Sequence, residues 1–446
     1  MIPAPYEPWP TKRIRFVTRR GLSDEQRRLL LQAGHVNFLP MEAIGEQGEL
    51  DLSAVRQIED VQSGYTLFFD GDVLVAKITP CFENGKGALV KGTSGGVGFG
   101  TTELHVLTPA PDLDGRFLYF ITASPPFRRL GEASMSGAAG QKRVSEDFVR
   151  DFRIPVPPLL QQRAIADYLD RETARLDALV EAKDRVLGLL AEKRRALITR
   201  AVTRGLNPHV PLRDSGIHWL GQIPAHWEIW KLGHVALVGN GSTPNRDNPE
   251  YWLAGSIPWL NSSVVNQDEV TASEQFVTDL AVRECHLPFV RSGSVLLGIT
   301  GQGKTRGQAV VLSFDATINQ HLAFVTPRAD RLDTWYLRWA LHAAYEFLRS
   351  ISDDAGGTKG ALTCEEVAAL RVPVLTIVQQ RAIADHVAAE TTKLNEMRVA
   401  TERTIALLKE RRAALIAAAV TGQIDVGGVE YYTDDAAGQK EPERRR

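Results

Sequence analysis

Gln161-Gln-Arg-Ala-Ile-Ala-Asp167 is repeated without a change at residues 379–385, an offset of 218 residues (379 − 161 = 218). The same offset maps Ala201-Val-Thr203 onto Ala419-Val-Thr421, and no gap is needed between the two segments. A repeat of this length indicates a duplicated domain rather than a solenoid of short units.

The repeat extends beyond these segments, because Trp9 corresponds to Trp227 at the same offset. We therefore predict two copies of one unit, at about residues 6–223 and 224–441. Identities become rare outside the segments that follow Gln161 and Gln379. The two copies are expected to share a scaffold but not a surface.

Each repeated segment opens a long stretch that has helical periodicity and no proline. Apolar residues recur at steps of 3, 4 and 7, the pattern of a helix that packs on another helix. About 40 residues rising 1.5 Å each form a rod of roughly 60 Å, too long to be buried by one small β-rich domain. We predict that the two helices pair as an antiparallel coiled coil with a globular domain at each end. The alternative of two independent domains, each with its own helix folded back, stays open. The residues predicted to pack between the helices are Ile165, Leu169, Leu176, Val180, Leu187, Leu190, Leu197, Ile383, Val387, Leu394, Ile405, Leu408 and Leu415.

About 150 residues before each helix alternate short β-patterned runs with Gly, Pro and Asn, interrupted by helical stretches. Asp72-Val-Leu-Val-Ala76 and Gln308-Ala-Val-Val-Leu312 are two such runs. The fold class predicted is α/β, with mixed α+β domains in two tandem pseudo-symmetric repeats. The predicted segments are globular domains at 1–158 and 224–376, helices at 159–204 and 377–422, a linker at 205–223 and a partly disordered tail at 423–446.

Composition limits the classes of function. A net charge of −2 gives no overall sign of nucleic-acid binding, so a DNA-binding surface would have to be local. Cys81, Cys285 and Cys364 are isolated and odd in number, which predicts a reducing compartment and hence the cytoplasm. Cys285-His286 places two potential ligands side by side, which is poor spacing for one metal ion, so no metal site is predicted. No apolar run reaches the roughly 18 residues that suggest a membrane span.

Several motifs resemble one known family. Val156-Pro-Pro-Leu-Leu-Gln-Gln-Arg-Ala-Ile-Ala-Asp-Tyr-Leu-Asp170 and its second copy are similar to the segment that opens each central helix in type I restriction specificity subunits. Gly241-Ser-Thr-Pro244 with Ile257-Pro-Trp259 resembles the family's recognition-domain entry, and Thr421-Gly-Gln-Ile-Asp425 resembles its ending. The first unit departs from this pattern, since it has neither Gly-x-Thr-Pro nor Ile-Pro-Trp.

The resemblance implies a DNA-binding function without catalysis in this chain. Two target-recognition domains would each read one half of a split, asymmetric site in double-stranded DNA, and the helices would set the gap. The implied partners are two methyltransferase subunits, which use S-adenosylmethionine to methylate adenine N6, and motor-nuclease subunits, which use ATP and Mg²⁺. No cofactor is expected on this chain. An orphan recognition subunit without working partners remains an alternative.

A second alternative is a self-contained P-loop nucleotide hydrolase acting on DNA. Gly298-Ile-Thr-Gly-Gln-Gly-Lys-Thr305 satisfies G-x-x-x-x-G-K-[ST], but a P-loop must open a helix, and Arg306 to Leu312 has a strand pattern instead. The offset of 218 also maps Lys304 onto Lys86, in a turn without the required Ser or Thr. We interpret the segment as a strand, a Gly-rich turn that contacts phosphate or solvent, and a second strand. Asn248-Pro-Glu-Tyr251 resembles the Asn-Pro-Pro-Tyr motif of amino-group methyltransferases, but no S-adenosylmethionine fingerprint precedes it.

DNA readout requires Arg, Asn, Gln, Ser or Thr side chains that reach base edges, and Lys or Arg that reach phosphates. Polar clusters on loops are therefore the candidates. In the first unit these are Lys77, Thr79, Asn84, Lys86, Lys91, Thr93, Ser94, Gln141, Lys142 and Arg143. In the second unit they are Ser242, Thr243, Asn245, Arg246, Asn261, Ser262, Ser263, Thr300, Gln302, Lys304, Arg306 and Lys359.

Overall fold

The computed structural model describes residues 9–138, 140–301, 303–353 and 360–426. These form two compact units: unit 1 comprises residues 1–184 and 403–446, and unit 2 comprises residues 185–402. The unit boundaries fall inside the two long helices, so each unit holds one globular domain and a segment of each helix. The tail predicted to be partly disordered spans residues 423–446. Of these, residues 427–446 lie outside the described part.

Strands and helices are interspersed along the first repeat, as is typical of a mixed α/β fold. Its strands are β1 (Thr11–Arg13), β2 (Thr18–Arg19), β3 (His35–Leu39), β4 (Val55–Gln57), β5 (Thr66–Phe69), β6 (Val73–Ala76), β7 (Gly87–Leu89), β8 (Val97–Gly100), β9 (Leu104–Pro109) and β10 (Arg153–Pro155). Its helices are α1 (Asp24–Gln32), α2 (Ile58–Val61), α3 (Gly115–Ala123), α4 (Pro125–Ser134), α5 (Glu146–Asp151) and the long α6 (Leu159–Arg204).

The second repeat follows a similar but not identical order of elements. Its strands are β11 (Leu212–Asp214), β12 (Gln222–Pro224), β13 (Glu228–Lys231), β14 (Ala236–Asn240), β15 (Ile257–Leu260), β16 (Glu269–Val270), β17 (Gln275–Val277), β18 (Val295–Gly298), β19 (Ala309–Leu312), β20 (Thr317–Ile318), β21 (Leu322–Pro327) and β22 (Arg371–Val374). Its helices are α7 (Leu232–Val235), α8 (Asp279–Glu284), α9 (Thr334–Ala343), α10 (Tyr345–Asp353), α11 (Cys364–Ala369) and the long α12 (Ile377–Val420). The mixed α/β class with tandem repeats is confirmed.

The sheets of the two units share a common arrangement but differ in their number of strands. Unit 1 contains sheets ordered β2-β9-β6-β7 and β4-β3-β8-β5, with a β1-β10 pair. Unit 2 contains sheets ordered β14-β21-β18-β19-β16 and β17-β15-β20, with pairs β13-β22 and β11-β12. In both units a parallel pair, β3 with β8 or β15 with β20, is combined with antiparallel neighbours.

A central strand buried on both faces explains the continuous apolar runs in the sequence. In β6, Val73 and Val75 pack in one core, whereas Leu74 and Ala76 pack in another. Successive side chains of a strand point to opposite faces, so an all-apolar run fits a strand covered on both sides. β18 of unit 2 is buried in the same way.

The offset of 218 is not constant inside the globular domains. It relates β9 to β21, since Leu107 pairs with Val73 and Val325 pairs with Val295, but the partner strands β6 and β18 differ by 222 (295 − 73 = 222). The carbonyl of Lys86 accepts the N–H of Ala76, and in unit 2 the carbonyl of Gln308 accepts the N–H of Gly298. Lys86 therefore corresponds to Gln308. The mapping of Lys304 onto Lys86 was wrong, because four residues are redistributed between loops on either side of these strands.

In unit 1 the start of α6 packs against the end of α12. Ile165 and Leu169 share a core with Ile416 and Val420. Further from the domain, Arg412 Nε lies 2.9 Å from a carboxylate oxygen of Asp177. Residue numbers rise along one segment while they fall along the other, so the two segments run antiparallel.

Unit 2 contains the complementary segments. Ile198 and Val202 near the end of α6 share a core with Ile383 and Val387 near the start of α12. The predicted packing residues vary in burial. Val180, Leu187, Leu197, Leu408 and Leu415 are half-buried and the others are buried.

Near the end of each long helix, the most buried residue is one position later than the predicted packing residue. Ile198 and Ile416 are fully buried beside the half-buried Leu197 and Leu415. Both isoleucines belong to the core of a globular domain as well as to the helix pair. These helix turns therefore pack against a globular domain as well as against the other long helix.

The repeated Gln161–Asp167 segment is explained by a buried glutamine. Gln162 Oε1 accepts the backbone N–H of Asp114 at 2.8 Å, and its Nε2 donates to the carbonyls of Asp112 and Pro157. Gln380 makes the same three bonds to Asp333, Arg331 and Leu375. Asp114 and Asp333 in turn cap α3 and α9, so each glutamine joins the first turn of a long helix to a helix of the globular domain.

No helix among residues 9–138, 140–301, 303–353 and 360–426 is both long and apolar enough to cross a membrane.

Candidate nucleic-acid interface

Three segments of unit 1 meet where β6 ends. The backbone N–H of Lys77 donates to Glu103 at 3.0 Å, and that of Thr79 donates to Lys142 at 2.9 Å. The second bond joins two predicted DNA-contact residues that are far apart in sequence, and the first joins Lys77 to Glu103, which was not predicted. Arg143 extends from the same place and remains about two-fifths exposed.

Arg143 is paired with a carboxylate that sequence reasoning missed. Its Nη2 lies 2.8 Å from Glu103 Oε1, and its Nε lies 3.0 Å from Oε2. Hydrogen bonding from Arg143 holds the pKa of Glu103 below its usual value. The guanidinium is therefore held in one orientation by a bidentate pair.

The turn around Asn84 is supported from below by a buried arginine. Arg128 donates to the carbonyls of Phe82 at 3.0 Å and Gly85 at 3.1 Å, and burial lowers its pKa to about 10. Asn84 is exposed on this turn, whereas Lys86 points back to donate to the carbonyl of Met41 at 2.8 Å. Asn84 is thus presented to solvent, and Lys86 supports the turn.

The third cluster of unit 1 is arranged around Asp70. Its Oδ1 accepts the hydroxyl of Thr93 at 2.7 Å, and Thr93 is buried. The neighbouring residues Lys91 and Ser94 are exposed. Of the predicted residues in this cluster, Lys91 and Ser94 therefore present their side chains to solvent, and Thr93 does not.

Three loops of unit 2 meet at the end of β18. Ser242 N–H donates to the carbonyl of Ile318, and Thr243 Oγ1 lies 2.5 Å from Gln320 Oε1. His321 Nδ1 lies 2.8 Å from Thr300 Oγ1. Gln320 and His321 are exposed, and neither was among the predicted residues.

A predicted arginine of unit 2 is stacked on aromatic rings. The guanidinium of Arg246 lies 4.0 Å from the ring centre of Trp252 and 4.7 Å from that of Trp259. It also donates to Gln275 Oε1 at 2.8 Å. Cation–π contact restricts the side chain while leaving its outer edge in solvent. Asn245 is exposed beside it.

Asn261, Ser262 and Ser263 form a short capped turn. Asn261 Oδ1 accepts the N–H of Ser263 at 2.9 Å, which uses part of its hydrogen-bonding capacity within the chain. Ser263 is exposed and Ser262 half-buried.

The segment that matches the P-loop pattern does not form one. Residues 303–307 are a turn that leads into β19 rather than into a helix. Tyr345 donates to the carbonyl of Lys304, and Arg349 donates to that of Gly303 at 2.7 Å. Lys304 is exposed on this turn, whereas Arg306 is buried. The predicted strand–turn–strand is confirmed, while Gln302 and Lys359 lie outside the described residues.

Two other candidates for chemistry are used structurally. Asn248 caps the turn of Asn248-Pro-Glu-Tyr251, and Tyr251 donates to Glu284 at 2.8 Å. Within the described part of the chain, no three His, Cys, Asp or Glu side chains are grouped to hold a metal ion.

A signal for the missed residues was present in the repeat. Glu103 and His321 are related by the offset of 218, and each stands five positions before a Thr-Pro pair shared by the two copies. Residues of different chemistry at one scaffold position mark a variable surface site. Because the two side chains differ, sequence identity within the repeat does not mark this position.

Comparison with known proteins agrees with this arrangement of two recognition units. The type I restriction modification DNA specificity domain family matches residues 9–187 and 224–397. Because these matches cover more than half of the sequence, the chain belongs to that family.

Individual relatives match to different extents. The chain is 39% identical over 171 residues to the type I restriction enzyme EcoAI specificity subunit of Escherichia coli, which is 35% of this chain and 29% of that protein. The EcoEI specificity subunit of the same organism is 38% identical, again over 29% of its length. The chain therefore matches under a third of the length of these two relatives. The putative MjaX specificity subunit of Methanocaldococcus jannaschii is 20% identical over 87% of each chain.

Solved structures share the fold. A chain described under complex assembly and conformational transition of the type I R-M system superposes with a TM-score of 0.74 at 18% identity, covering 94% of this chain and 100% of that one. The HsdS subunit from Thermoanaerobacter tengcongensis superposes with a TM-score of 0.56 at 18% identity, covering 95% and 100%.

Proposed function

We propose that this chain is the DNA-specificity subunit of a type I restriction–modification system. Each globular domain reads one half of a bipartite, asymmetric site in double-stranded DNA. The observation that carries this proposal is the double match of the specificity-domain family, at residues 9–187 and 224–397. The two domains repeat one backbone but expose different polar side chains, as expected for two domains that read different bases.

The paired helices act as the element that sets the gap between the two half-sites. Segments of α6 and α12 pack against each other within each unit. DNA half-sites one helical turn apart are separated by roughly 34–36 Å, so a rigid spacer selects a fixed number of base pairs.

The chain itself carries out no catalysis in this proposal. Two methyltransferase subunits supply S-adenosylmethionine and methylate adenine N6 after the base leaves the stack. Motor-nuclease subunits supply ATP- and Mg²⁺-dependent translocation and cleavage. The specificity subunit binds none of these cofactors and holds the duplex in register. The three free cysteines support a reducing compartment, and we place the complex in the cytoplasm.

The test is a methylome of the host with and without the gene for this chain. We expect N6-methyladenine in a motif with two specified halves and an unspecified gap, and we expect it to disappear on deletion. A single continuous motif contradicts the two-domain proposal. Absence of any dependent methylation indicates an orphan subunit instead.

A matched biochemical test uses the full-length chain purified alone. It is expected to bind duplex DNA and to transfer no methyl group from S-adenosylmethionine. Methylation by the highly purified chain contradicts the non-catalytic assignment.

A further inference from the structure

Glu103 and His321 occupy one position of the shared scaffold. Each immediately precedes the corresponding strand, β9 or β21. The carbonyl of Glu103 accepts the N–H of Lys77 at 3.0 Å, and the carbonyl of His321 accepts the N–H of Ile299 at 3.0 Å. The backbone is thus equivalent at this position of the two units, and the side chains differ.

A second pair of backbone bonds confirms the equivalence. The carbonyl of Lys77 accepts the N–H of Val144 at 2.8 Å, and the carbonyl of Ile299 accepts the N–H of Leu362 at 2.8 Å. Val144 and Leu362 differ by the repeat offset of 218. Residues just before them, including Arg143, therefore lie next to the same position.

In unit 1 this position orients an arginine. Glu103 binds Nε and Nη2 of Arg143, which is one edge of the guanidinium. Among the described residues, Nη1 has no hydrogen-bond partner. Guanidinium carries five N–H donors in a planar fork, so the free edge presents two parallel donors. That pattern matches O6 and N7 of guanine in the major groove.

In unit 2 the same position orients a glutamine. Thr243 donates to Gln320 Oε1, and Gln320 Nε2 lies 3.4 Å from His321 Nε2. His321 Nδ1 then contacts Thr300 at 2.8 Å. The carboxamide keeps one acceptor lone pair and one N–H donor for an outside partner. That pair matches N6 and N7 of adenine.

We infer that this shared position is the base-reading point of each domain: Arg143, positioned by Glu103, reads a guanine in one half-site, and Gln320, positioned by Thr243 and His321, reads an adenine in the other. The inference rests on the proposed function and adds which residues determine the two specificities.

The experiment selects duplexes from a randomised library with the tagged full-length chain purified from its host, together with whatever partner subunits accompany it. In wild type we expect two specified halves. Arg143→Lys keeps the charge for phosphate but loses the bidentate fork. It is expected to reduce the preference for one guanine roughly 10- to 100-fold, with the other half unchanged. Gln320→Ala is expected to do the same at one adenine in the opposite half.

Glu103→Gln tests positioning rather than contact. It is expected to relax the same guanine as Arg143→Lys, and the double variant should relax it no further. A merely structural role for Glu103 would lower binding to all sequences and leave the motif intact. Arg28→Ala and Gln222→Ala, exposed positions on α1 and β12, are the controls and should leave both halves unchanged.

The outcomes separate the two proposals. If wild type selects no bipartite motif, the proposed function fails and the inference fails with it. If wild type selects two halves and the variants keep both, only the inference is overturned. Uniformly weaker binding without a change of motif assigns Arg143 or Gln320 to phosphate contact and also overturns it.

Discussion

The Cζ2 atom of Trp227 lies 3.0 Å from where a Cβ on Gly205 would stand. Gly205 follows the end of α6 and has φ +71°. Gly422, after α12, has φ +74° and stands in the same relation to Trp9, at 3.1 Å. A left-handed glycine commonly ends a helix, and here a tryptophan covers it. Both long helices are therefore followed by a left-handed glycine that packs against a tryptophan.

Gly205→Ala is expected to lower the free energy of unfolding of unit 2 by about 1–2 kcal/mol. The new Cβ opposes the left-handed backbone and approaches the indole too closely. Chemical denaturation followed by tryptophan fluorescence measures the change, since Trp227 is at the site.

Gly188→Ala is the matched control with the opposite sign. Gly188 lies inside α6, and no atom of the described residues stands within 4 Å of the place that a Cβ would take there. Alanine at this position should raise stability by up to about 1 kcal/mol. Equal effects of the two substitutions would contradict a specific role for the glycine at the helix end.

Gln162→Ala is expected to destabilise unit 1 by about 2–3 kcal/mol, because it leaves the buried carbonyl of Pro157 and the partly buried backbone groups of Asp112 and Asp114 without their partner. Hydrogen exchange at the first turn of α3 should report the loss, since the amide of Asp114 becomes unprotected. Gln161→Ala, at the adjacent half-buried glutamine, should change stability by less than about 0.5 kcal/mol. Similar exchange in both variants would show that the bonds of Gln162 contribute little.

Asp177→Asn is expected to weaken the pairing of α6 with α12 in unit 1. Arg412 is only 17% exposed and Asp177 28%, so the attraction is partly shielded from solvent. We expect a loss of about 1 kcal/mol, with a coupling of similar size in a double-mutant cycle with Arg412→Met. A coupling near zero would mean that the apolar seam alone holds these segments. The offset of 218 places Asn395 at the equivalent position of α12, so the repeat itself supplies the neutral side chain used in this test.

His342 predicts a pH dependence of unit 2. Burial first, and then the charges of Arg338 and Arg194, lower its pKa to about 4, against a smaller opposing effect from Asp268. The unfolded chain, with a pKa near 6.5, therefore binds the proton more readily than the folded unit. Stability contributed by neutral His342 is present above pH 6.5 and is lost as the pH falls from about 6.5 towards 4.

The difference between wild type and His342→Gln isolates this effect from other titrating groups. We expect the variant to lose less stability over that pH range, by an amount on the order of 3 kcal/mol at most. His234→Gln, at an exposed position, is the control and should follow wild type. Parallel curves for all three proteins would contradict the assignment to His342.

The sequence predicts the scaffold better than the surface for a physical reason. Gln162, Ile165 and their copies recur because buried hydrogen bonds and core volume tolerate few alternatives. The half-buried Glu103 and the exposed His321 lie outside the core and carry no such constraint, so identity within the repeat cannot reveal them. The offset also shifts by four residues at β6 and β18, since loops absorb length changes that strands and helices do not. Loop length, and with it the neighbours of each polar side chain, becomes visible only in the folded chain.

Lys304→Ala separates phosphate contact from nucleotide binding. Lys304 is exposed on a turn between β18 and β19, where no helix N-terminus follows to hold a nucleotide. We expect unchanged, negligible ATP binding by calorimetry, and weaker DNA binding whose dependence on log salt concentration falls by about one unit of slope. Lys231→Ala, at an exposed position on β13, should leave the slope unaltered. Each phosphate contact releases counterions when DNA binds, so losing one contact must lower the slope. An unaltered slope for Lys304→Ala would therefore mean that this turn faces solvent in the DNA complex.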